Sequence, residues 1–412
     1  MGGLAAALVL ARRAEVTVVE RAAHPGGKMR DIEIGGATID IGPTVLTMKW
    51  VFDELFARAG ADFDAEVSLQ RLDCLARHGW RDGSRFDLLS DDRASADAVG
   101  AFAGAEDMRG FVRFLAYARR IYDMLRDSFL RAPAPDMLRL VASAGPLRLL
   151  KIDPFSTYWS ALQRYFRDPR LLQLFGRYAT YCGSSPFRAP ATLMLIAAVE
   201  KAGVWAPKGG MAGLARAAAR LAEKNGALFR YREEAAEILA ENSRVSGVRL
   251  ASGERIAADA VILNADAGAV AAGLLGAAAA RAVPAARARS QSAATYAFSA
   301  EASGFPLDRH NVFFSRDYKA EFDAVFERGA APEEPTTYVW APRGSAGVQA
   351  LFCLVNAPAT ATRFTGEDAA RVRGRMIDHL SACGLTLDVK AERAMTPAEF
   401  AQDYPGTDGA IY

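Results

Sequence analysis

Residues 2–20 read GGLAAALVLARRAEVTVVE, and this stretch decides the fold that we expect. Two glycines open an apolar run that suits a short buried helix, and Arg12 and Arg13 end it. Val16 to Val19 then suit a strand that is buried on both faces, and Glu20 closes that strand. A glycine-opened helix followed by a strand that ends in an acid is typical of the second half of a dinucleotide-binding βαβ unit.

The residue types of this stretch suit the binding of a dinucleotide. Gly2 and Gly3 let helix and strand pack closely, and the free N–H groups at the helix N-terminus would face a pyrophosphate. Glu20 would accept hydrogen bonds from ribose hydroxyls. Met1 stands where the fourth position of the G-x-G-x-x-G pattern would fall, so we expect an incomplete first unit. An ordinary alanine-rich helix followed by a strand is the alternative.

The composition and length of the chain limit which classes of protein it can belong to. The chain has 412 residues, enough for two or three domains, and 51% are apolar, enough for a large core. A net charge of +2 gives no general field for nucleic acid, so no nucleic-acid partner is expected. The four cysteines form no CxxC pair, so we expect no metal and a reducing compartment. The uncharged apolar runs at 189–199 and 267–280 are too short to span a bilayer.

Two loops after the first strand are candidate ligand contacts. Residues 24–28 read HPGGK, a turn where backbone can approach a ligand closely, although a plain surface turn explains it too. Residues 31–42 alternate apolar and polar side chains and predict a hairpin around Gly35 and Gly36. The hairpin ends at Asp40, which is either a turn former or an acid that lies against a ligand.

Three later segments leave alternatives open. Residues 137–152 are basic and leucine-rich, so they suit either a helix in a lipid interface or a kinked helix packed on its own domain. Phe155 to Phe175 carry an aromatic stripe that belongs either to the core or to a long apolar pocket. Four short strands are predicted between Ala227 and Asn264, and the last ends in the apolar run Ala260 to Leu263.

Several runs, taken in order, resemble the phytoene-desaturase group of FAD-dependent carotenoid desaturases, which belong to the amine-oxidase-like flavoproteins. These runs are GGLAAALVLARRAEVTVVE (2–20), HPGGKM (24–29), IDIGPTVLTM (39–48), KGGMAGLARAAARLAEKNG (208–226), IAADAVILNAD (256–266) and YPGTDGAIY (404–412). Three further runs are more similar to the 1-hydroxycarotenoid 3,4-desaturases, also called methoxyneurosporene dehydrogenases. They are RYATYCGSSPFRAPATLML (177–195), HNVFFSRDYKAEF (310–322) and LFCLVNAPA (351–359).

The resemblance implies an α/β architecture: a Rossmann-like FAD-binding domain with an incomplete first βα unit, and an inserted α+β substrate domain. We expect the FAD-binding domain at 1–70 and 203–275. The substrate domain, with possible membrane-facing helices, is expected at 71–202 and 276–412. The family begins with a strand and the full glycine fingerprint and ends with a glycine-rich segment that folds onto the flavin. We therefore expect this 412-residue form, truncated at both ends, to bind FAD poorly.

The resemblance also implies positions for the cofactor residues. Gly2 and Gly3 would face the pyrophosphate and Glu20 the adenosine ribose, while Ala235 stands at a position whose backbone holds the adenine. The residues along the rest of the cofactor would be Arg21, Gly26, Gly27 and Lys28, with Pro43 and Thr44 near the isoalloxazine.

The implied reaction removes two hydrogens from adjacent carbons of a carotenoid, a hydride to the flavin and a proton from the neighbouring carbon. Asp40 is the acid best placed near the cofactor, with a structural role as the alternative, and His310 is a second catalytic candidate.

The apolar substrate implies a cytoplasmic protein that lies on the inner face of a membrane; the oligomeric state stays open. The alternatives are a flavin amine oxidase, which needs an aromatic cage, and a truncated non-catalytic remnant.

Overall fold

A computed structural model describes residues 1–132, 153, 155–242, 244–284, 289–344, 347–359, 364 and 366–412. The basic, leucine-rich segment 137–152 lies outside the described residues. Within the described ranges, no helix is long and apolar enough to cross a membrane.

The strands and helices follow each other along the chain in a mixed order. The strands are β1 Thr17–Glu20, β2 Asp31–Ile34, β3 Ala37–Asp40, β4 Leu69–Arg71, β5 Cys74–Gly79, β6 Arg85–Leu89, β7 Trp205–Pro207, β8 Leu228–Tyr231, β9 Ala235–Glu241, β10 Arg244–Leu250, β11 Arg255–Ala257, β12 Ser292–Ser303, β13 His310–Phe313, β14 Thr337–Trp340, β15 Val348–Ala357 and β16 Thr386–Met395. The α-helices are α1 Gly2–Leu10, α2 Lys49–Arg58, α3 Phe63–Glu66, α4 Asp92–Ala103, α5 Ala105–Leu125, α6 Tyr158–Leu162, α7 Pro169–Gly176, α8 Leu195–Ala202, α9 Gly210–Lys224, α10 Ala267–Ala271, α11 Ala277–Ala280, α12 Tyr318–Phe326, α13 Gly366–Ala382 and α14 Pro397–Asp403.

A seven-stranded sheet forms the larger part of the molecule, in the order β16-β12-β15-β14-β13-β5-β6. Its neighbours pair antiparallel except β13 and β5, which run parallel. Alternate side chains of β12 enter two cores, because successive strand residues point to opposite faces. Ala297 enters a core shared with helices α4 to α8, whereas Phe298 enters a core shared with α13.

The smaller part of the molecule is built on β1, which pairs parallel with β8 in a two-stranded sheet. Helices α1, α2 and α9 share one apolar core, to which Leu8 and Leu214 contribute fully buried side chains. The prediction that β1 is buried on both faces is wrong: Thr17 is exposed and Val18 and Val19 are half-buried. Among the described strands β1 has a neighbour on one edge only, so its side chains stay partly open to solvent.

The meander between α9 and α10 contains β8 to β11, with β9, β10 and β11 in an antiparallel sheet. Its predicted last segment is wrong in part, because residues 258–264 are not a strand. Ile262 is 61% exposed and Leu263 is 39% exposed. An apolar run becomes a strand only beside a partner, and no described strand runs alongside this one.

The segment Phe155 to Phe175, which carries the aromatic stripe, contains two helices, α6 and α7. Tyr158, Phe166 and Phe175 are almost completely buried in the larger core, which favours the core interpretation of the stripe. Phe155, in contrast, is 86% exposed.

Candidate functional site

Helix α1 begins at Gly2 beside the chain segment that precedes α10. No side chain caps this helix start, and no acidic residue lies in its first turn. A Cβ atom added to Gly2 would overlap the side-chain amide of Asn264. Only glycine therefore permits this close approach. Because no side chain caps the helix, its first N–H groups are available to an anion.

Glu20 ends β1 and lies near the start of α1. Its carboxylate accepts a hydrogen bond from the Ala22 N–H at 2.8 Å. Burial lowers the pKa of the Met1 amino group, and the Glu20 carboxylate nearby opposes that shift. The Glu233 N–H donates to the Glu20 carbonyl oxygen at 3.1 Å, two residues before Ala235. The fold therefore places Glu20 near both Met1, which precedes α1, and Glu233, which lies two residues before Ala235.

The glycine turn after β1 has the conformation that its sequence predicts. Gly26 and Gly27 have φ angles of +118° and +59°, which favour glycine. The Lys28 ammonium donates to the Ile411 carbonyl oxygen at 2.9 Å and lies 5.3 Å from the Phe400 ring centre. Burial lowers the pKa of Lys28, and the nearby Asp266 opposes that shift.

The C-terminal segment 396–412 packs along this turn. The Tyr404 hydroxyl donates to the Gly27 carbonyl at 2.9 Å, and the Arg30 guanidinium pairs with Asp403 at 2.7 Å. Arg21 donates to the Asp403 carbonyl, so its side chain is directed to α14. Arg289 holds the same segment through the Gly406 carbonyl at 2.5 Å.

Asp40 lies at the end of β3 against the start of α9. Its carboxylate accepts hydrogen bonds from the Met211 N–H at 2.7 Å and the Ala212 N–H at 3.1 Å. A Cβ atom on Gly210 would overlap the same carboxylate, so glycine is required there too. Burial raises the pKa of Asp40, and the two backbone hydrogen bonds oppose that shift. This geometry is that of a side chain that anchors a helix N-terminus.

A chain of hydrogen bonds joins Thr44 to His310 through Tyr338. The Thr44 hydroxyl lies 2.6 Å from the Tyr338 hydroxyl, which lies 2.7 Å from Nδ1 of His310. Thr44 is half-buried and follows the exposed Pro43, whereas His310 is only 3% exposed. Burial lowers the pKa of His310 to about 3 and raises that of Tyr338, so both groups are neutral at physiological pH. The fold thus connects two candidate residues, Thr44 and His310, that lie far apart in the sequence.

No residue pattern pointed to Tyr338 or to Arg177, whose guanidinium carbon lies 5.8 Å from the Tyr338 ring centre. The Arg177 guanidinium makes no hydrogen bond or ion pair with the described residues. Nearby, the buried Glu200 carboxylate accepts hydrogen bonds from Tyr178 at 2.6 Å and Tyr181 at 2.8 Å. Residues 177–181 read RYATY, a run whose polar side chains give no signal of this convergence.

Two clefts lie apart from these residues. One, of about 350 Å³, lies between β9 and α11. The other, of about 780 Å³, opens beside α12 and is lined by Trp159, Phe187 and Tyr318 among others. In the part of the chain that the structure describes, no three His, Cys, Asp or Glu side chains converge as a metal site.

These features match one family of redox enzymes. The family model described as flavin containing amine oxidoreductase matches residues 1–384, and the chain belongs to this family. The amine-oxidase-like α/β fold, the flavin-dependent oxidoreductase class and the FAD cofactor predicted from the sequence are confirmed.

Named relatives give a finer comparison. Hydroxyneurosporene desaturase from Rubrivivax gelatinosus is 47% identical over 430 residues, covering 100% of this chain and 82% of the relative. Hydroxyneurosporene desaturase from Cereibacter sphaeroides is 42% identical, covering 100% of this chain and 85% of the relative. A 1-hydroxycarotenoid 3,4-desaturase from a Flavobacterium species is 29% identical, with 100% and 85% coverage. The carotenoid desaturase resemblance is thereby confirmed.

A solved structure shares the fold. An oxidoreductase from Methanosarcina mazei superposes with a TM-score of 0.60 at 16% identity, covering 100% of this chain and 88% of that one. At this identity the likeness concerns the fold.

Proposed function

We propose that this protein desaturates a carotenoid that carries a hydroxyl group, with FAD as the oxidant. The observation that carries the proposal is the 47% identity, over the whole chain, to a hydroxyneurosporene desaturase. Relatives at 42% and 29% identity, whose names also specify a hydroxylated carotenoid, support the same substrate class.

The residues at the start of the chain fit a dinucleotide. The uncapped start of α1 offers N–H donors to a pyrophosphate, and Glu20 offers a carboxylate to ribose hydroxyls. Gly26 and Gly27 keep the turn free of side chains, and Lys28 adds a positive charge beside it. The proposed FAD contacts are completed by Arg21, whose side chain also contacts α14, and by Pro43, Thr44 and the backbone of Ala235.

FAD, when bound, would be the acceptor of a hydride from the substrate. The protein's own contribution is then to position the polyene, exclude water and leave room for loss of a proton from the adjacent carbon. We propose that Asp40 is structural, because both backbone N–H groups that it accepts from belong to the start of α9. The buried, neutral His310 remains the second candidate for the proton.

We further propose that the chain divides as its sequence predicts, into 1–70 with 203–275 and 71–202 with 276–412. Pairing of β1 with β8 and of β4 with β7 supports the first unit. Strands β5 and β6 enter the seven-stranded sheet with strands from beyond residue 276, which supports the second.

We propose that the protein lies on the cytoplasmic face of a membrane, because its apolar substrate resides in lipid. The basic, leucine-rich sequence 137–152 is the proposed contact. Co-sedimentation with anionic liposomes tests this, with a variant in which Arg139, Arg148 and Lys151 are changed to glutamate. Equal sedimentation of this variant and the wild type would contradict the proposed contact.

Product analysis tests the proposed reaction. The protein with added FAD is incubated with a 1-hydroxylated acyclic carotenoid in liposomes, and mass spectrometry identifies any product that lacks two hydrogens. Gly26→Ala serves as a negative control, because its Cβ atom would overlap the Met29 carbonyl oxygen. Gly374→Ala serves as a positive control, because nothing lies near the added methyl group. Full flavin occupancy without any desaturated product would refute the proposal.

A further inference from the structure

The polar chain from Thr44 to His310 has hydrogen-bonding capacity left over at both ends. In the buried His310 ring, Nε2 has no hydrogen-bond partner among the described residues. At the other end, the half-buried Thr44 hydroxyl contacts Tyr338 and can make a further hydrogen bond. This series of hydrogen bonds therefore ends at a half-buried hydroxyl, that of Thr44, which can bind one further group.

The donor and acceptor roles in the hydrogen bonds that join Thr44, Tyr338 and His310 can reverse. If Nδ1 of His310 donates, Tyr338 donates to Thr44 and the Thr44 hydroxyl donates outward. If Nδ1 accepts, Thr44 donates to Tyr338 and its oxygen accepts from outside. A hydroxyl group is a ligand that satisfies either arrangement, because it both donates and accepts.

Arg177 adds donors beside the Tyr338 ring. Its guanidinium lies over the Tyr338 ring and makes no hydrogen bond or ion pair with the described residues. A half-buried guanidinium has five N–H donors and no acceptor, so it favours a ligand oxygen. Thr44 and Arg177 thus reach Tyr338 from two parts of the chain, one after β3 and the other after α7.

The location suits the reacting end of a substrate. Thr44 belongs to the segment between β3 and α2, and Tyr338 belongs to the seven-stranded sheet. Ligand sites occur preferentially where two such units meet. In a 1-hydroxycarotenoid 3,4-desaturase, the name places the hydroxyl on carbon 1 and the new double bond between carbons 3 and 4. A group that binds that hydroxyl must therefore lie beside the reacting carbons.

We propose that Thr44 and Arg177, positioned by Tyr338 and His310, bind the oxygen on carbon 1 of the substrate and select hydroxylated over unsubstituted polyenes. This inference rests on the proposed function and adds the residues that determine its specificity. The physical basis is that a hydroxyl taken from water into an apolar site is strongly disfavoured unless it is hydrogen-bonded there.

Binding and turnover are measured separately to test this assignment. The protein with added FAD is titrated with a 1-hydroxylated acyclic carotenoid and with the matching hydrocarbon in detergent micelles, and quenching of tryptophan fluorescence gives each Kd. Thr44→Val is expected to weaken binding of the hydroxylated ligand about 5-fold, and Arg177→Met about 10-fold. Tyr338→Phe is expected to weaken it about 3-fold. The readout is the ratio of the two Kd values, because a change in the proposed flavin contact of Thr44 would alter the binding of both ligands alike, whereas loss of the hydroxyl contact weakens binding of the hydroxylated ligand alone.

Two matched controls separate loss of recognition from loss of structure. Thr47→Val changes another half-buried threonine of the same segment, one that makes no hydrogen bond with the described residues. Tyr296→Phe removes a hydroxyl that donates to Ala369, in the core on the other face of the sheet. Both controls are expected to keep the wild-type preference for the hydroxylated ligand.

The outcomes distinguish this inference from the proposed function. If the wild type desaturates carotenoids but Thr44→Val and Arg177→Met keep its ligand preference, the inference is overturned and the proposed function stands. A wild type that desaturates both ligands without preference also overturns the inference. If the wild type neither binds nor converts either polyene, the proposed function fails and the inference fails with it.

Discussion

Substitution of Asp40 distinguishes a helix anchor from a catalytic base. Its carboxylate accepts from the N–H groups of Met211 and Ala212, the second and third residues of α9. Asp40→Ala leaves both N–H groups without this partner and is expected to lower the free energy of unfolding by about 2–3 kcal/mol. In a chain of this length, that loss corresponds to a fall in Tm of roughly 3 °C.

Asp40→Asn is expected to be much milder. Asparagine keeps one oxygen for the stronger hydrogen bond but loses the charge that favours the helix N-terminus. Because burial raises the pKa of Asp40, the ionised carboxylate is disfavoured in the folded protein, and this penalty grows as the pH rises through that pKa. Asparagine has no such penalty, so its net effect is expected to stay within about 1 kcal/mol.

Differential scanning fluorimetry and carotenoid turnover together decide the role of Asp40. A helix anchor predicts a nearly normal Tm and retained turnover in Asp40→Asn, with both reduced in Asp40→Ala. Asp91→Ala is the control, since this exposed N-cap of α4 accepts from one N–H group at 2.7 Å and is expected to lose about 1 kcal/mol. An Asp40→Asn protein with normal Tm and flavin content but no turnover would refute the structural role.

Three further predictions concern stability. Burial lowers the pKa of His78 to about 4, so between pH 6.5 and that pH the unfolded chain binds one more proton than the folded protein. The free energy of unfolding therefore decreases by about 1.4 kcal/mol for each unit by which the pH is lowered in this range. Urea unfolding of His78→Gln should show a shallower pH dependence, and an equal slope would contradict this. In Gly42→Ala the new methyl group would overlap the Lys28 carbonyl oxygen, so this variant should have a lower Tm and retain less flavin. The control Gly374→Ala should stabilise α13 by about 0.5–1 kcal/mol. Similar thermal melts for the two variants would exclude the close approach of Gly42 to Lys28. The buried Glu321 carboxylate accepts four hydrogen bonds. In urea unfolding, Glu321→Ala should therefore lower the free energy of unfolding by about 4 kcal/mol and Glu321→Gln by about half of that. Equal losses in the two variants would refute a stabilising role of these hydrogen bonds.

Local elements of this fold were predictable from residue patterns. The helix at Gly2–Leu10 and the strand that ends at Glu20 follow from apolar runs of suitable length. The hairpin of β2 and β3 turns at Gly35 and Gly36, whose φ angles of +55° and +77° suit glycine. Such features depend on neighbours in the chain, which is why the sequence by itself determined them and, through ordered motifs, the flavoprotein family.

Partners distant in the chain were decided only by the tertiary structure. The apolar run Ala260 to Leu263 predicted a strand, but a strand needs a neighbour, and local pattern does not reveal whether one stands beside it. The sequence left Asp40 as either a turn former or an acid against a ligand, and only folding placed its carboxylate against the start of α9. The contact between Thr44 and Tyr338 joins residues 294 positions apart. No periodicity extends over that separation, so packing of the whole chain decides which polar groups meet at the candidate substrate site.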